Sequence, residues 1–414
     1  MAKTLFAKPK DCGDTTMLTK TGYKQPEKWL FPIDPNTDYR LPENRVYLVN
    51  SWAEAMYHTG ELNQQLRLMD WAIEHRWTTT DTMESKLWLA FLWGCCYNFT
   101  GPWVILNAFP VPPTWPGGMQ QFADWYNKNF ERIRFDTDCR YRKSKMIACV
   151  QSYVDWLNLY GEGDQWPALE ATLNLADPVA KYEKLWEVAN SWAYYGRLSA
   201  WNYLEALGLV TGWQYGLDCQ DFLLTDVSGS ESNRNGVAFI TDNEHLLTKH
   251  GKLKATGDAI SQEDCLMLNE KAEGLFEMLS KNFGHIDPVL RFNVETVFCW
   301  VKKRFRETNT RYIGWDSERT IDEMDFVEEH WGNEAPLEFI YEARRKWLPS
   351  HLCCEDGPKE LRGQKKAKMS YFFLTGTPMD LLKFQAGERW DYGMQTSKIK
   401  AGKVEATGKT KKLW

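Results

Sequence analysis

Ser85 to Phe99 reads SKLWLAFLWGCCYNF. Trp88, Phe91, Leu92, Cys95 and Phe99 recur at helical spacing, which predicts a helix with one apolar face on a core. Asp81 and Glu84 stand three apart just ahead of it, in the pattern of a capping box. Outward from this segment the same period dominates. Helices are expected through MQQFADWYNKNFERI and through KSKMIACVQSYVDWLNLYG, the latter ending at Gly161. ADPVAKYEKLWEVANSW begins with Asp177 as N-cap and Pro178 in the first turn, and HIDPVLRFNVETVFCWVKKRF repeats that start at Asp287 and Pro288. Gly208 fits a helix C-terminus. No sustained apolar/polar alternation occurs, and Gly236–Asp242, GVAFITD, is the best short strand candidate. The expected fold is mostly α: a multi-helix globular fold with long Pro/Gly-rich loops and little strand.

The chain has 414 residues, enough for two or three domains and a sizeable core. No internal repeat is visible. Residues 1–45 read as an irregular, Pro-rich N-terminal arm. A helical subdomain with a basic cluster follows over 46–163, and a second, catalytic one over 164–385. The "GEGD" at 161–164 marks the boundary, and 386–414 read as a basic, flexible tail. TGPWVILNAFPVPPTWPGG reads as a long connection.

Aromatic residues make up 14% of the chain, with 21 Trp, so many rings should line clefts and seams rather than vanish into a core. The net charge of −6 excludes a chain that binds nucleic acid as a uniform polycation. The positive charges are nevertheless clustered. Arg132, Arg134, Arg140, Arg142, Lys143 and Lys145 lie in ERIRFDTDCRYRKSK, Lys365, Lys366 and Lys368 form a second group, and the tail carries a third. Such patches suit phosphate contacts at chosen places, or solvated helix faces. The N-terminus shows no apolar signal region, and the apolar run Leu87–Tyr97 is too short to span a bilayer. The ten Cys form no CxxC pair, which suits a reduced compartment. HLCC, 351–354, is the one Cys/His cluster and lacks the second half of a zinc site.

Three segments carry residue types suited to chemistry. NSWAYYGRLSAWNYLEALG, Asn190–Gly208, places Trp192, Tyr195, Arg197, Trp201 and Asn202 close together. Read as a helix, it puts Trp192, Tyr195 and Ser199 on one side. Rings with polar tips can stack a base and read its edge, or pack at a subdomain seam. DVSGSESNRNGVAF, Asp226–Phe239, holds Asn233, Arg234 and Asn235. Its small residues can curl into an anion-binding nest or serve as a linker. RFNVETVFCW, Arg291–Trp300, sets Arg291 and Glu295 four apart, opposite a stripe of Leu290, Val294, Val297 and Val301, with Asn293 between. That pair can hold an amine or anion, or be a surface ion pair. No P-loop, dinucleotide fingerprint, hydrolase triad, HExxH or kinase motif set is present. The residues alone reach a helical protein with aromatic and basic clusters, not a reaction.

Taken together, LWLAFLWGCCYNFTGPWVI, WAYYGRLSAWNYLEALG, the Asn-Arg-Asn-Gly stretch and RFNVETVFCWVKKRF resemble the amino acid:DNA transferases of tailed phages, proteins first labelled α-glutamyl/putrescinyl thymine pyrophosphorylases. The resemblance runs from about Pro26 to about Phe384. It implies an enzyme acting in the cytoplasm of an infected bacterium, away from membranes, on double-stranded phage DNA. There 5-hydroxymethyluracil has already been pyrophosphorylated by a separate kinase, and the amine of a free amino acid such as glycine replaces the pyrophosphate. On that reading Trp192, Tyr195 and Trp201 stack the flipped nucleotide and Asn202 reads its edge. Arg197, Arg234 and Arg291 meet the pyrophosphate, with Mg²⁺ as a possible helper, and Asn233, Asn235 and Asn293 line the site. Glu295 orients and deprotonates the amine. Arg140, Arg142, Lys143 and Lys145 hold the DNA backbone. A helical base-flipping glycosylase-like enzyme and a non-catalytic phage DNA-binding protein are the alternatives.

Overall fold

The computed structural model describes residues 41–59, 64–75, 82–136, 139–217, 231–284, 290–301, 315–332 and 334, parts of 219–227, and two short strands at 18–19 and 22–23. Among them are fourteen helices and two tiny antiparallel hairpins, β1 (Leu18–Thr19) with β2 (Gly22–Tyr23) and β3 (Thr248–Lys249) with β4 (Lys252–Leu253). The fold is mostly α. No described helix is long and apolar enough to cross a membrane.

The expected central helix is α3, Met83–Cys96, buried on almost every side. Its cap is Thr82, whose hydroxyl accepts from Ser85 N–H at 3.2 Å. Glu84 is used elsewhere: its carboxylate accepts from the Gln165 and Trp166 N–H groups, both at 2.7 Å, and so caps α8, Gln165–Leu173. α10, Arg197–Val210, lies against α3. The approach is close because position 94 is glycine: a Cβ there would meet the Tyr195 hydroxyl and the Ser199 carbonyl.

Around this pair pack α2 (Gln64–His75), α4 (Thr100–Ala108), α5 (Gly118–Asn129), α7 (Met146–Tyr160) and α9 (Pro178–Ser191), with the short α6 (Arg140–Lys143). α9 starts as expected, with the Asp177 carboxylate accepting from Val179 and Ala180 N–H. The core they share draws on both sides of residue 163. A second core joins α1 (Pro42–Thr59), α11 (Glu231–Ile240), α12 (Gln262–Phe283) and α13 (Arg291–Val301). α13 also reaches the first core through Phe292, which stands edge-on to the Trp201 ring with centroids 4.7 Å apart. α14, Trp315–Trp331, lies along the first core through Met324, Val327 and Trp331.

Several local expectations change. Residues 100–108 are helical rather than loop: the Asn98 side chain accepts from the Thr100 and Gly101 N–H groups of the first turn, and the apolar ProTrpValIleLeu run continues from there. The strand candidate GVAFITD belongs to α11, with Gly236 pressed on the Phe298 carbonyl of α13. That close approach explains the glycine better than a nest does. α10 runs past Gly208, which the Trp213 ring covers, to a cap at Thr211. Asp81, the Asp287–Pro288 start, HLCC, Lys365–Lys368 and the tail lie outside the described residues.

Candidate functional site

The aromatic stretch Asn190–Gly208 is two helix ends joined by a turn, not one helix. α9 ends at Ser191, Trp192 caps it, Tyr194 takes a left-handed φ of 60°, and α10 starts at Arg197. Trp192 and Tyr195 therefore fold inward. Trp192 stands edge-on to Tyr153 at 4.7 Å and to Tyr203 at 5.3 Å. Tyr195 stacks on Phe91 at 5.1 Å and donates to the Phe91 carbonyl at 3.1 Å. Their faces are occupied by protein rings, so neither presents a platform for a base. Trp201 is buried against Phe292, and Arg197 is half-buried at the N-terminal turn of α10. Asn202 is 1% exposed, and its amide nitrogen has no hydrogen-bond acceptor among the described residues.

The Asn-Arg-Asn segment ties loops to α11. Asn233 donates to the Phe222 carbonyl. Asn235 donates to the Thr248 carbonyl at 2.9 Å and accepts from Thr248 N–H at 2.8 Å. Arg234, fully buried, donates to the Val227 carbonyl at 3.2 Å. Arg291 makes a forked pair with Glu273 of α12, at 3.2 and 2.9 Å. Asn293 is buried, and Glu295 is half-buried on the same helix. Phe292 brings α13 to Trp201, so the first and third quoted segments do meet.

The basic cluster is largely turned inward. Arg142 is fully buried and donates to the Gly94 and Cys95 carbonyls and to the Tyr141 hydroxyl. It fills the groove at the end of α3 and is not presented to a DNA backbone. Arg132 donates to the His330 carbonyl and lies on the Trp331 ring, and Arg134 donates to the Asp322 carbonyl. Lys143 faces Glu131 and Phe130, while Lys145 is exposed beside Tyr194. Arg140 lies on α6.

Those inward arginines border a constellation that sequence reading passes over. α3 ends on Tyr97, held at φ 48° while its N–H still bonds the Trp93 carbonyl at 2.8 Å. A left-handed tyrosine costs energy and must be held by its surroundings. Asn98 holds it: its side chain donates to the Cys96 and Arg134 carbonyls and accepts from Thr100 and Gly101 N–H. Asp136 N–H bonds the Cys96 carbonyl at 3.0 Å, which brings that carboxylate to the same corner.

α14 supplies the rest. Arg319 donates to Asp136 at 2.8 Å, pairs with Asp316 at 2.9 Å and reaches Glu323 at 3.6 Å, with its guanidinium 5.3 Å from the Tyr97 ring centre. Burial disfavours its charge, but Asp316, Asp136 and Glu323 more than offset this and raise its pKa. Glu323, 1% exposed, accepts from Phe99 N–H at 2.9 Å. Burial pushes its pKa up to about 7 against the pull of Arg319 and Arg134.

Glu205 approaches the same cluster from α10. Burial and the neighbouring Asp316 push its pKa up to about 8, with Trp93 favouring the charged form. Burial, with help from Glu205, Asp316 and Asp136, also keeps the Tyr97 phenol protonated, so it is a donor at neutral pH. Three carboxylates engage one arginine, and Glu205 stands beside them near Asp316, so acid groups outnumber the cation. That balance suits a cation, and the carboxylate of Glu205 is poised to exchange a proton near neutrality. Among the described residues no group of three His, Cys, Asp or Glu is arranged to hold a metal ion.

A family model described as "Amino acid:DNA transferase" matches residues 60–309. A protein of Salmonella phage ViI called "Serinyltransferase" is 51% identical over 382 residues, which cover 91% of this chain and 92% of that one. No solved structure matches.

Proposed function

This chain belongs to the amino acid:DNA transferase family, and we propose that it joins the amine of free serine to an activated thymine-like base in phage DNA. The observation that supports this reading is Glu205: a half-buried carboxylate on α10, beside Trp93, Tyr97 and Asp316, inside the family-matching span. An amino acid at neutral pH is an ammonium and cannot attack until it loses a proton. A carboxylate that titrates near pH 8 is matched to that task.

In this scheme the base is 5-hydroxymethyluracil carrying pyrophosphate on its exocyclic oxygen. Glu205 takes a proton from the serine ammonium. The freed nitrogen lone pair bonds the exocyclic methylene carbon, and the carbon–oxygen electron pair departs with pyrophosphate. The target carbon lies within a duplex, so the nucleotide flips out to reach the site. The acidic cluster repels pyrophosphate. The leaving group is accommodated at the other end of α10, where Arg197 and the positive end of the helix stand two turns away, about 12 Å along the axis. The choice of serine over glycine follows the name of the phage ViI relative.

The test is nucleoside mass spectrometry after incubating the protein with pyrophosphorylated phage-type DNA and labelled serine or glycine. A serine adduct with pyrophosphate release is expected, and Glu205→Gln should slow it by about a hundredfold or more while DNA affinity holds. Unmodified nucleosides with every amino acid would remove the reading. Free base release would favour a glycosylase.

A further inference from the structure

Two stretches of this acidic chain hold no carboxylate. Residues 139–154 and 188–204 carry five Lys and Arg between them and no Asp or Glu, in a protein of net charge −6. The fold brings the two together. Ala193 N–H donates to the Ser152 hydroxyl at 3.0 Å, and the Lys145 ammonium lies 5.6 Å from the Tyr194 ring centre. The Arg142 guanidinium sits 5.2 Å from the Tyr141 ring centre and 5.8 Å from that of Tyr195. Asp155 and Glu187, the acids that border the two stretches, accept hydrogen bonds from Gln151 and Lys184.

The surface made here differs from the interior beneath it. Trp192, Tyr195 and Tyr203 are buried against one another, whereas Tyr141 is 56% and Tyr194 50% exposed. Tyr194 stands midway in the turn between α9 and α10, at a left-handed φ of 60° that a bulky side chain rarely takes. Its ring is left outside while that of Tyr195 turns in. Tyr160 is as bare, at 63%, but it precedes Glu162 and Asp164. At Tyr194 the adjoining charge is positive. Arg142 is spent on backbone carbonyls and Lys143 faces Glu131, so among the described side chains of residues 139–145 Lys145 is the exposed cation. Arg197 opens α10 three residues beyond the ring. An open aromatic face beside a solvated cation fits a polyanion that carries flat rings. A nucleic acid offers both: each base has a face to stack, and each phosphate a charge for the ammonium.

We infer that Tyr194 and Lys145, with Tyr141 at the edge, form the face that grips DNA beside the target nucleotide. The Tyr194 ring stacks on a base left without its neighbour when that nucleotide leaves the helix, and Lys145 meets a flanking phosphate. The inference rests on the proposed reaction for DNA as the acceptor and for the departure of the target from the stack. It adds which surface meets the DNA and what the exposed ring does there. Tyr194 is a binding residue, and no bond is made or broken at this face.

The test measures binding of the full-length protein, without amino acid, to a fully paired duplex and to the same duplex with one abasic site. Tyr194→Gly is the informative variant, because glycine takes that φ freely and should keep the fold, as a thermal melt will show. Wild-type protein should prefer the abasic duplex. Tyr194→Gly should lose about fivefold or more of its affinity for that duplex and less for the paired one, whereas Tyr194→Phe should stay within about twofold, since the ring and not the hydroxyl stacks. Affinities unchanged by Tyr194→Gly would overturn the inference, as would a Tyr194→Phe protein as weak as Tyr194→Gly. A second copy of the chain is the competing occupant. Sedimentation in which Tyr194→Gly turns a dimer into monomers while DNA affinity holds would also overturn it. Neither duplex is activated, so the transfer reaction does not enter the measurement. Ring-dependent binding by a protein that never makes product would support the face and remove the reaction. Product formed by Tyr194→Gly with an unchanged KM for DNA would remove the face and leave the reaction standing.

Discussion

Arg319 donates to Asp136 at 2.8 Å across 183 positions of sequence, and this bond fastens α14 to the corner where α3 turns into α4. One guanidinium thereby spans Asp136, Asp316 and Glu323, all largely buried. Removing one partner of a buried ion pair leaves charge without compensation, at a cost of about 3–5 kcal/mol.

Arg319→Met should therefore cost stability in that range by urea denaturation at pH 7.5. Arg319→Lys should cost less, because the charge remains although the planar fork is lost. The penalty for Arg319→Met should shrink at pH 5, where Glu205 and Glu323 carry protons. A penalty independent of pH would mean that these carboxylates do not repel one another as described.

Glu205 predicts opposite pH trends for stability and rate. Its folded pKa of about 8 lies above the ordinary glutamate value, so the folded state binds its proton more tightly than the unfolded chain does. That contribution is complete below about pH 4, and it is lost as pH rises through 8. Melting temperature should fall from pH 6 to pH 9, and Glu205→Gln should flatten the fall. The rate of transfer should rise over the same interval, since the base must be ionised to act. If rate and stability rose together, Glu205 would not be the base.

The helical class and most helix positions are legible in the sequence because apolar period and Asp-Pro starts are local signals. Long-range use of polar groups is not. Glu205 lies inside the very stretch that the sequence marks for its rings, but nothing local distinguishes it from a solvated glutamate. Its environment is made by Trp93, Tyr97 and Asp316, from two other helices. Asp316, Arg319 and Glu323 stand at three- and four-residue spacings in WDSERTIDEMDF, which predicts mutual pairing but not burial. Arg234 and Arg142 misled for the converse reason. Arginine in a polar run reads as a phosphate ligand, and here both satisfy backbone carbonyls of the core.

Gly94 offers a check on the α3–α10 packing that positions Glu205. A methyl group at 94 would collide with the Tyr195 hydroxyl and the Ser199 carbonyl. Gly94→Ala should destabilise by about 1–3 kcal/mol, the usual range for overpacking. Pushing α10 outward should also lower transfer activity more than DNA affinity. A neutral substitution in denaturation would show that the two helices can separate at no cost.

Arg142 and Lys145 sit three residues apart and should behave as different kinds of residue. Arg142 is fully buried, and its bonds to the Gly94 and Cys95 carbonyls finish the C-terminal end of α3. Arg142→Met removes these donors and should lower the melting temperature, with DNA binding weakened only as the folded fraction falls. Lys145 is exposed, near the outward ring of Tyr194, which is 50% exposed. If it meets a phosphate, Lys145→Ala should leave the melting temperature unchanged, weaken DNA binding across sequences, and reduce the slope of log K against log salt by about 0.9, the value for one phosphate contact. Binding titrations between 50 and 200 mM salt, paired with thermal melts, separate the two residues. A salt slope altered by Arg142→Met in fully folded protein would place that guanidinium on the DNA after all. A slope untouched by Lys145→Ala would move the DNA-binding face away from the α6–α7 junction, leaving Arg197 at the start of α10 as the next cation to test.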